Sequence, residues 1–408
     1  MEEFWKFVDE YRGVAPHTLR LRFHGDSRQW VGAAISHIEA MPKGLKKYPH
    51  LPERWVFPSV LSVEQGTPPG TSALNCRITL DALARHIEGD ASHGIVGSSE
   101  IRMLDMTAGL GMDALRFAES GARMKLFEMN PAHADALKIN FSSFPNIEVV
   151  EGDSVEWLRN NHEERFDIIF IDPARRDSAG SRVYNLHDCT PDVTELLPLF
   201  EGRCSVLVAK LSPMLDITQT LRDIFGCSEI HVVEEGGECR ELFAVVPFPY
   251  SDRETRIVAH RQGWEYSFQA GCADDVGSTV PYSDPAPGGY LVELSPALMK
   301  AAPYARLCSD FDMVMIAPNS RLFVAHRPVM APIGSCLRIK EVIDFSSGKL
   351  KKIGRAIGNA EVVARNLPGI NSEQLRARLG IGESASRRLV GTSMRGGRKV
   401  LLLLDKEI

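Results

Sequence analysis

The sequence predicts an α/β protein built on a doubly wound, mostly parallel sheet. Three observations predict it. From residue 101 onward, short strand-forming runs alternate with helical patterns for about 145 residues, and such alternation is the signature of parallel strands joined by crossover helices. A Gly-Gly turn between the last two runs is too short to carry a crossover, so that pair reads as an antiparallel hairpin. Polar residues close five successive strands, where open α/β sheets place their ligands.

The elements follow in order. "IRMLDM" is the first strand, "TAGLG" a loop, and "MDALRFAES" a helix closed by Gly121. "RMKLFEM" is the second strand, and Pro131 stands where the first turn of the helix "AHADALKINF" accepts it. "IEVVEGD" is the third, with Ser154 expected to cap the helix "VEWLRNN". "FDIIFID" and "CSVLVAK" are the fourth and fifth. "SEIHVVEE" and "CRELFAVV", separated by Gly236, Gly237 and Glu238, supply the terminal hairpin, for seven strands in all. Residues 1–95 alternate helical patterns with Pro-rich breaks such as "MPKGLKKYPHLPERWVFP", and read as a helical extension without evident chemistry. The predicted division is therefore 1–95, a catalytic α/β domain over 96–250, a small module over 251–332 and an α+β module over 333–408.

Composition narrows the class. Hydrophobic residues at 44% and charged residues at 25% of 408 are values of a soluble globular protein, and the length predicts two or three domains. The opening "MEEFWKFVDE" lacks a basic segment followed by an apolar run, and the longest apolar block, "VLLLL", is too short to span a bilayer. Eight cysteines, at 76, 189, 204, 227, 239, 272, 308 and 336, are scattered without CxxC spacing. They read as reduced thiols of a cytoplasmic protein, with no metal site. The net charge of −6 is uneven: residues 333–408 hold 15 Lys and Arg against 7 Asp and Glu, leaving 32 against 46 in the rest. A basic module is thus joined to an acidic body, a pattern that suits a polyanionic partner.

The first strand ends in Asp105, Thr107, Ala108, Gly109 and Gly111, a loop whose glycines let a ligand approach the backbone. A nicotinamide cofactor is disfavoured, because Ala114 takes the place of a third glycine and the Asp105 carboxylate would repel phosphates. A cationic ligand without phosphate suits Asp105 better, and S-adenosyl-L-methionine carries a sulfonium and an amino group. Glu128, beside Met129 at the end of the second strand, is placed to accept from two ribose hydroxyls. Asp153 is placed to accept from an adenine amino group, with the N–H of Ser154 or Val155 nearby. Asp172 closes the fourth strand and Lys210 the fifth.

The motifs "DMTAGLGMD", "FEMNP", "EGDS" and "IDPARRD", in this order and spacing, resemble those of class I S-adenosylmethionine-dependent methyltransferases. The first loop resembles that of bacterial rRNA guanine-N2 methyltransferases, and Asp-Pro-Ala-Arg resembles the Asp-Pro-Pro-Arg and Asp-Pro-Pro-Tyr motifs of nucleic-acid methyltransferases. "DPARRDSAGSRVYNLHDCTPDVTELL", "AKLSPMLDI", "APNSRLFV" and "ARNLPGINSEQLRARLGI" look like a bacterial family with a ferredoxin-like module and a C-terminal THUMP-like domain. The resemblance implies a Rossmann-like seven-stranded sheet, S-adenosylmethionine as cofactor, and methylation of a base nitrogen in tRNA or rRNA. By analogy with amino-methylating relatives, Asp172 and the Pro173 carbonyl would accept hydrogen bonds from the target N–H. Arg175 stands where an aromatic residue would stack the base; a guanidinium can stack or hold a phosphate. Ribose 2′-hydroxyl methylation in other families uses a Lys-Asp-Lys-Glu set, of which Asp172, Lys210 and Glu241 would supply three, with no residue evident for the first lysine. A protein or small-molecule substrate, or an RNA-binding protein without catalysis, stays open.

In the tail, "EVVARN" reads as a strand, Ser372 as the cap of "EQLRARLG", and "RRLVGTSMR" and "RKVLLLL" as strands joined by Gly396-Gly397. Resemblance to THUMP-type modules implies RNA capture, with phosphate contacts from Arg376, Arg378, Arg387, Arg388, Arg395 and Arg398.

Overall fold

In the computed structural model, which describes residues 2–89, 100–174, 185–250, 254–271, 280–384 and 386–405, the chain forms two compact units. One comprises Met1–Ile230 with Glu241–Arg253, the other His231–Arg240 with Glu254–Ile408. No helix among the described residues is long and apolar enough to cross a membrane.

The first unit is organised by a sheet whose strands are β1 (Arg102–Asp105), β2 (Arg123–Glu128), β3 (Ile147–Glu151), β4 (Phe166–Ile171), β5 (Cys204–Leu211) and β7 (Glu238–Pro247), β6 being Glu229–Glu235. Their order is β3-β2-β1-β4-β5-β7. The pairs β2–β3, β1–β2, β1–β4 and β4–β5 are parallel, and β7 runs antiparallel to β5 through Leu242–Pro247. The order reverses between β1 and β4, which opens a crevice at their carboxyl ends. The central strands are apolar on both faces: Ile168, Ile169, Phe170 and Ile171 of β4, and Val206, Leu207, Val208 and Ala209 of β5, are buried, as helix-covered parallel strands require. The crossovers are α6 (Met112–Glu119), α7 (Pro131–Asn140), α8 (Ser154–Asn160), α9 (Val193–Phe200) and α10 (Ile217–Asp223). The turn leading into β7 uses Gly236 and Gly237, both at positive φ.

The amino-terminal segment departs from the predicted division, since it does not form a compact unit apart from the sheet. Its helices are α1 (Glu2–Tyr11), α2 (Pro16–Arg22), α3 (Gln29–Lys47), α4 (Val60–Gln65) and α5 (Pro69–Gly89). Phe4, Trp5, Phe7, Tyr11, Val31, Ile35 and Val56 share one buried cluster with Ala136 of α7. Asn140 of α7 accepts from the Val56 N–H at 2.6 Å and donates to its carbonyl at 3.0 Å. A buried amide bonded at both ends fixes the segment to the crossover layer.

The second unit takes in both modules expected over 251–332 and 333–408. Its hairpin β8 (Arg256–Arg261) and β9 (Trp264–Gln269) is antiparallel. The remaining strands, β10 (Tyr290–Leu294), β11 (Met313–Met315), β12 (Leu322–Ala325), β13 (Gly334–Asp344), β14 (Glu361–Ala364), β15 (Arg387–Ser393) and β16 (Lys399–Asp405), make one sheet in the order β11-β12-β10-β13-β16-β15-β14. The expected boundary at 332/333 falls just before β13, which pairs with β10 on one side and β16 on the other. Those ladder bonds and a shared core of Leu291, Ile316, Leu322, Ile339, Val390 and Leu402 join the two modules. Helices α11 (Pro296–Ala301), α12 (Tyr304–Asp310), α13 (Leu350–Ile357) and α14 (Ser372–Leu379) complete it.

Two caps shift by one residue. Asp153, not Ser154, caps α8, accepting from Val155 and Glu156 N–H groups. Asn371, not Ser372, caps α14 in a reciprocal box with Gln374. In both cases the neighbouring serine is used elsewhere: Ser154 Oγ donates to the Met106 carbonyl at 2.9 Å, and Ser372 Oγ accepts from the Ala364 N–H at 3.0 Å.

Candidate active site

The loop after β1 is tied down from three strands. Asp105 Oδ1 accepts from Thr107 N–H at 3.0 Å, and Thr107 Oγ1 in turn accepts from the Asp172 N–H at 2.7 Å. Ala108 N–H bonds the Phe127 carbonyl, and Gly109 N–H donates to Glu128 Oε2 at 3.0 Å. Glycine is required at 111: φ is +78°, and an added Cβ would lie 2.6 Å from the Phe141 ring and 2.8 Å from Leu137.

The ends of β2 and β3 offer acceptors and one apolar surface. Glu128 also accepts from Asn130 N–H, through Oε1, so both of its oxygens are oriented by backbone donors. Met129 beside it is 68% exposed, a large apolar side chain turned outward at a strand end. Asp153 makes its cap bonds through Oδ1.

At the ends of β4 and β5 the charges converge. Lys210 Nζ lies 2.7 Å from Asp172, 3.2 Å from Asp113 and 3.4 Å from Glu241, and is only 4% exposed in its side chain. Burial pulls this ammonium down, but the three carboxylates outweigh it and hold it well above the usual lysine range. Burial pushes Glu241 up to about 7 against the opposing pull of Lys210. Asp105, 2% exposed, is likewise pushed up to about 7 by burial, opposed by its bond from Thr107. The Asp172 side chain is one-third exposed, so of the three partners of Lys210 it is the one that reaches solvent. Pro173 is buried behind it, and Ala174 forms an antiparallel bridge with Thr190. Arg175 lies outside the described residues.

Three members of this cluster were not among the sequence candidates. Asp113 follows the glycine loop as an ordinary acid in a helix's first turn. Thr67 donates to Asp113 Oδ2 at 2.7 Å and accepts from Lys210 at 2.8 Å. Asn75 Nδ2 donates to Asp113 Oδ1 at 2.8 Å and to Glu241 Oε2 at 3.0 Å. A signal existed: Thr71, Asn75 and Thr79 recur every fourth residue along α5, and all three are buried. A polar stripe at that spacing reads as a solvated face unless its surroundings are known.

Comparison with known proteins then bears on this geometry. Residues 334–406 match the family model described as THUMP domain-like. A solved structure of a candidate methyltransferase from Porphyromonas gingivalis W83 is 27% identical and superposes with a TM-score of 0.84, covering 100% of this chain and 98% of that one. Over its whole length the chain has the fold of that methyltransferase structure, with a THUMP-like segment at residues 334–406. The chain is also similar to "Ribosomal RNA small subunit methyltransferase J" of Alkalilimnicola ehrlichii, 38% identical over 89 residues, 20% of this chain and 34% of that protein. The protein of the same name from Marinobacter nauticus is 36% identical over 83 residues, 18% of this chain and 30% of its own. The chain spans about a third of the length of these curated relatives.

The six tail arginines expected to contact RNA are mostly engaged within the second unit. Arg376 pairs with Glu383, and Arg398 with Asp344 at 2.6 Å. Arg388 pairs with buried Glu293 at 2.9 Å, and Arg387 donates to the Ile357 carbonyl. Arg395 covers the Tyr282 ring, while Arg378 is exposed.

Proposed function

We propose that this protein transfers the methyl group of S-adenosylmethionine to a base nitrogen of an RNA. The observation that carries the reading is the junction of the Asp105–Gly111 loop with Asp172, through the bond from Asp172 N–H to Thr107 Oγ1. That bond locks a cofactor-type loop to the strand end where a substrate would be oriented.

The residues present fit the cofactor. Glu128, held by two backbone N–H groups, keeps acceptor capacity for a ribose diol. Exposed Met129 offers an apolar face to an adenine ring, and Asp153 an acceptor at the next strand end. Asp113 and Asp172 outnumber the single Lys210 ammonium, and Asp105 and Glu241 add charge as they ionise, giving the pocket the sign that a sulfonium and an α-amino group require. The bound cofactor would supply an electrophilic methyl, lost to the attacking nitrogen as the carbon–sulfur bond breaks and the sulfonium becomes a neutral thioether.

The chain's own contribution is orientation. Asp172 Oδ2 is anchored by Lys210 at 2.7 Å while the side chain stays partly exposed, so it can accept from a target N–H without swinging away. The Pro173 carbonyl follows it on a backbone whose φ is fixed by the ring. The proton released from the methylated nitrogen passes to the Asp172 carboxylate and from there to solvent.

The RNA assignment is supported by the THUMP-like domain and by the rRNA methyltransferase relatives. A ribose 2′-hydroxyl as acceptor is the second reading, favoured by the Asp172–Lys210–Glu241 contacts. Mass spectrometry of nucleosides from RNA of cells with and without the gene tests both. Loss of one base-methylated nucleoside is expected; loss of a ribose-methylated one selects the second reading, and identical profiles reject RNA methylation.

A further inference from the structure

Asn75 is 0% exposed, on a helix that the sequence reads as part of an extension without chemistry. Its amide N–H2 bonds two carboxylates, Asp113 and Glu241, both of which lie within 3.4 Å of Lys210 Nζ. Its Oδ1 is buried without a hydrogen-bond partner among the described residues. An apolar residue would fill such a position without leaving an unpaired acceptor, so the amide is there for its donors. Thr67, just before the same helix, has a hydroxyl with one proton to give and a lone pair to receive, and both are used: it donates to Asp113 and accepts from Lys210.

The consequence concerns where Lys210 points. Three carboxylates compete for one ammonium, and only Asp172 is partly exposed. Asp113 has two donors besides Lys210, namely Thr67 and Asn75; Glu241 has Asn75. Those neutral donors satisfy the two interior carboxylates without consuming the ammonium. Lys210 is thereby left to make its shortest contact, 2.7 Å, with Asp172.

We propose that Thr67 and Asn75 are positioning residues for methyl transfer, holding the Lys210 ammonium on Asp172, so that the amino-terminal helical segment completes the site. The inference rests on the methyltransferase reading. It assigns no contact between these residues and substrate.

The test uses the full-length protein with S-adenosylmethionine and RNA from cells lacking the gene. Thr67→Val is isosteric and removes both hydroxyl bonds; Thr67→Ser restores them. Thr67→Val is expected to lower kcat about 10-fold or more, with KM for RNA and Kd for S-adenosylmethionine unchanged, and Thr67→Ser to stay within about 2-fold of wild type. Asn75→Leu is expected to lower kcat in the same way while the protein still binds S-adenosylmethionine. A Thr67→Val enzyme with wild-type kcat, a Thr67→Ser enzyme as slow as Thr67→Val, or losses that follow Tm and cofactor affinity would overturn the proposal. A wild-type protein that transfers no methyl group overturns the methyltransferase reading and this proposal together, whereas an active wild type with an unaffected Thr67→Val overturns this proposal alone.

Discussion

Asp105 and Asp172 show how the same residue type is given different work by its surroundings. Asp105 is enclosed and bonded to a backbone N–H, and Asp172 is held by an ammonium at the rim. Both acids were legible as strand-end residues, because a hydrophobic run that stops at a carboxylate is a local pattern. Their environments were not, because Thr67 and Asn75 come from 30 or more residues upstream of Asp105 in sequence and meet the cluster only after folding. The weakened acidities of Asp105 and Glu241 carry a stability consequence. Between their ordinary values, 3.8 and 4.5, and about 7, the folded protein binds more protons at these carboxyls than the unfolded chain does. Their contribution is therefore most favourable below pH 4 and is lost as pH rises to about 7. Asp105→Asn removes one of the two titrations and keeps an acceptor for the Thr107 N–H. Urea midpoints measured from pH 5 to 8 are expected to depend less on pH in the variant, with its largest relative gain in stability at the alkaline end. Parallel curves for the two proteins would contradict the assignment.

Elements were easier to read than their ends. Each of β1 to β5 lies at the sequence run expected for it, since buried parallel strands are continuous apolar stretches and crossover helices are amphipathic. The caps slipped because Asp153-Ser154 and Asn371-Ser372 each set two competent residues side by side, and the choice depends on what else bonds the serine. Charge was harder still. Counting arginines placed RNA contacts at positions where folding has matched most guanidinium groups to acids or carbonyls. On α13 and just before it, Lys349, Lys351, Lys352 and Arg355 are exposed, with no acidic partner among the described residues. Unpaired cations release counterions when they meet phosphates, so this face supports the RNA reading better than the paired arginines. Replacing Lys351, Lys352 and Arg355 with Glu is expected to weaken RNA binding at least about 10-fold at low salt and to flatten its salt dependence. The same binding curves at two salt concentrations would count against a role for this face if they match wild type.

At the scale of the molecule, the order of domains in the sequence does not map onto compact units. Nothing local in "LPERWVFP" announces that Val56 will bond Asn140, and nothing in "GSCLRIKEVID" announces a strand paired on both sides. Long-range pairings of this kind decide unit boundaries, and they also decide which experiments are sound. Removing residues 333–408 would strip β13, β16, β15 and β14, four of the seven strands, from one sheet, so substitutions are the cleaner probe. The account as a whole turns on Asp172, where the loop from β1, the charge cluster and the carboxyl end of β4 meet. Its most direct test is transfer of label from methyl-labelled S-adenosylmethionine into RNA from cells lacking the gene, by wild-type protein and by Asp172→Ala. The account predicts transfer by the wild type and a loss of about 100-fold or more in the variant, which still binds the cofactor. Equal transfer by the two proteins, or none by the wild type, would contradict it.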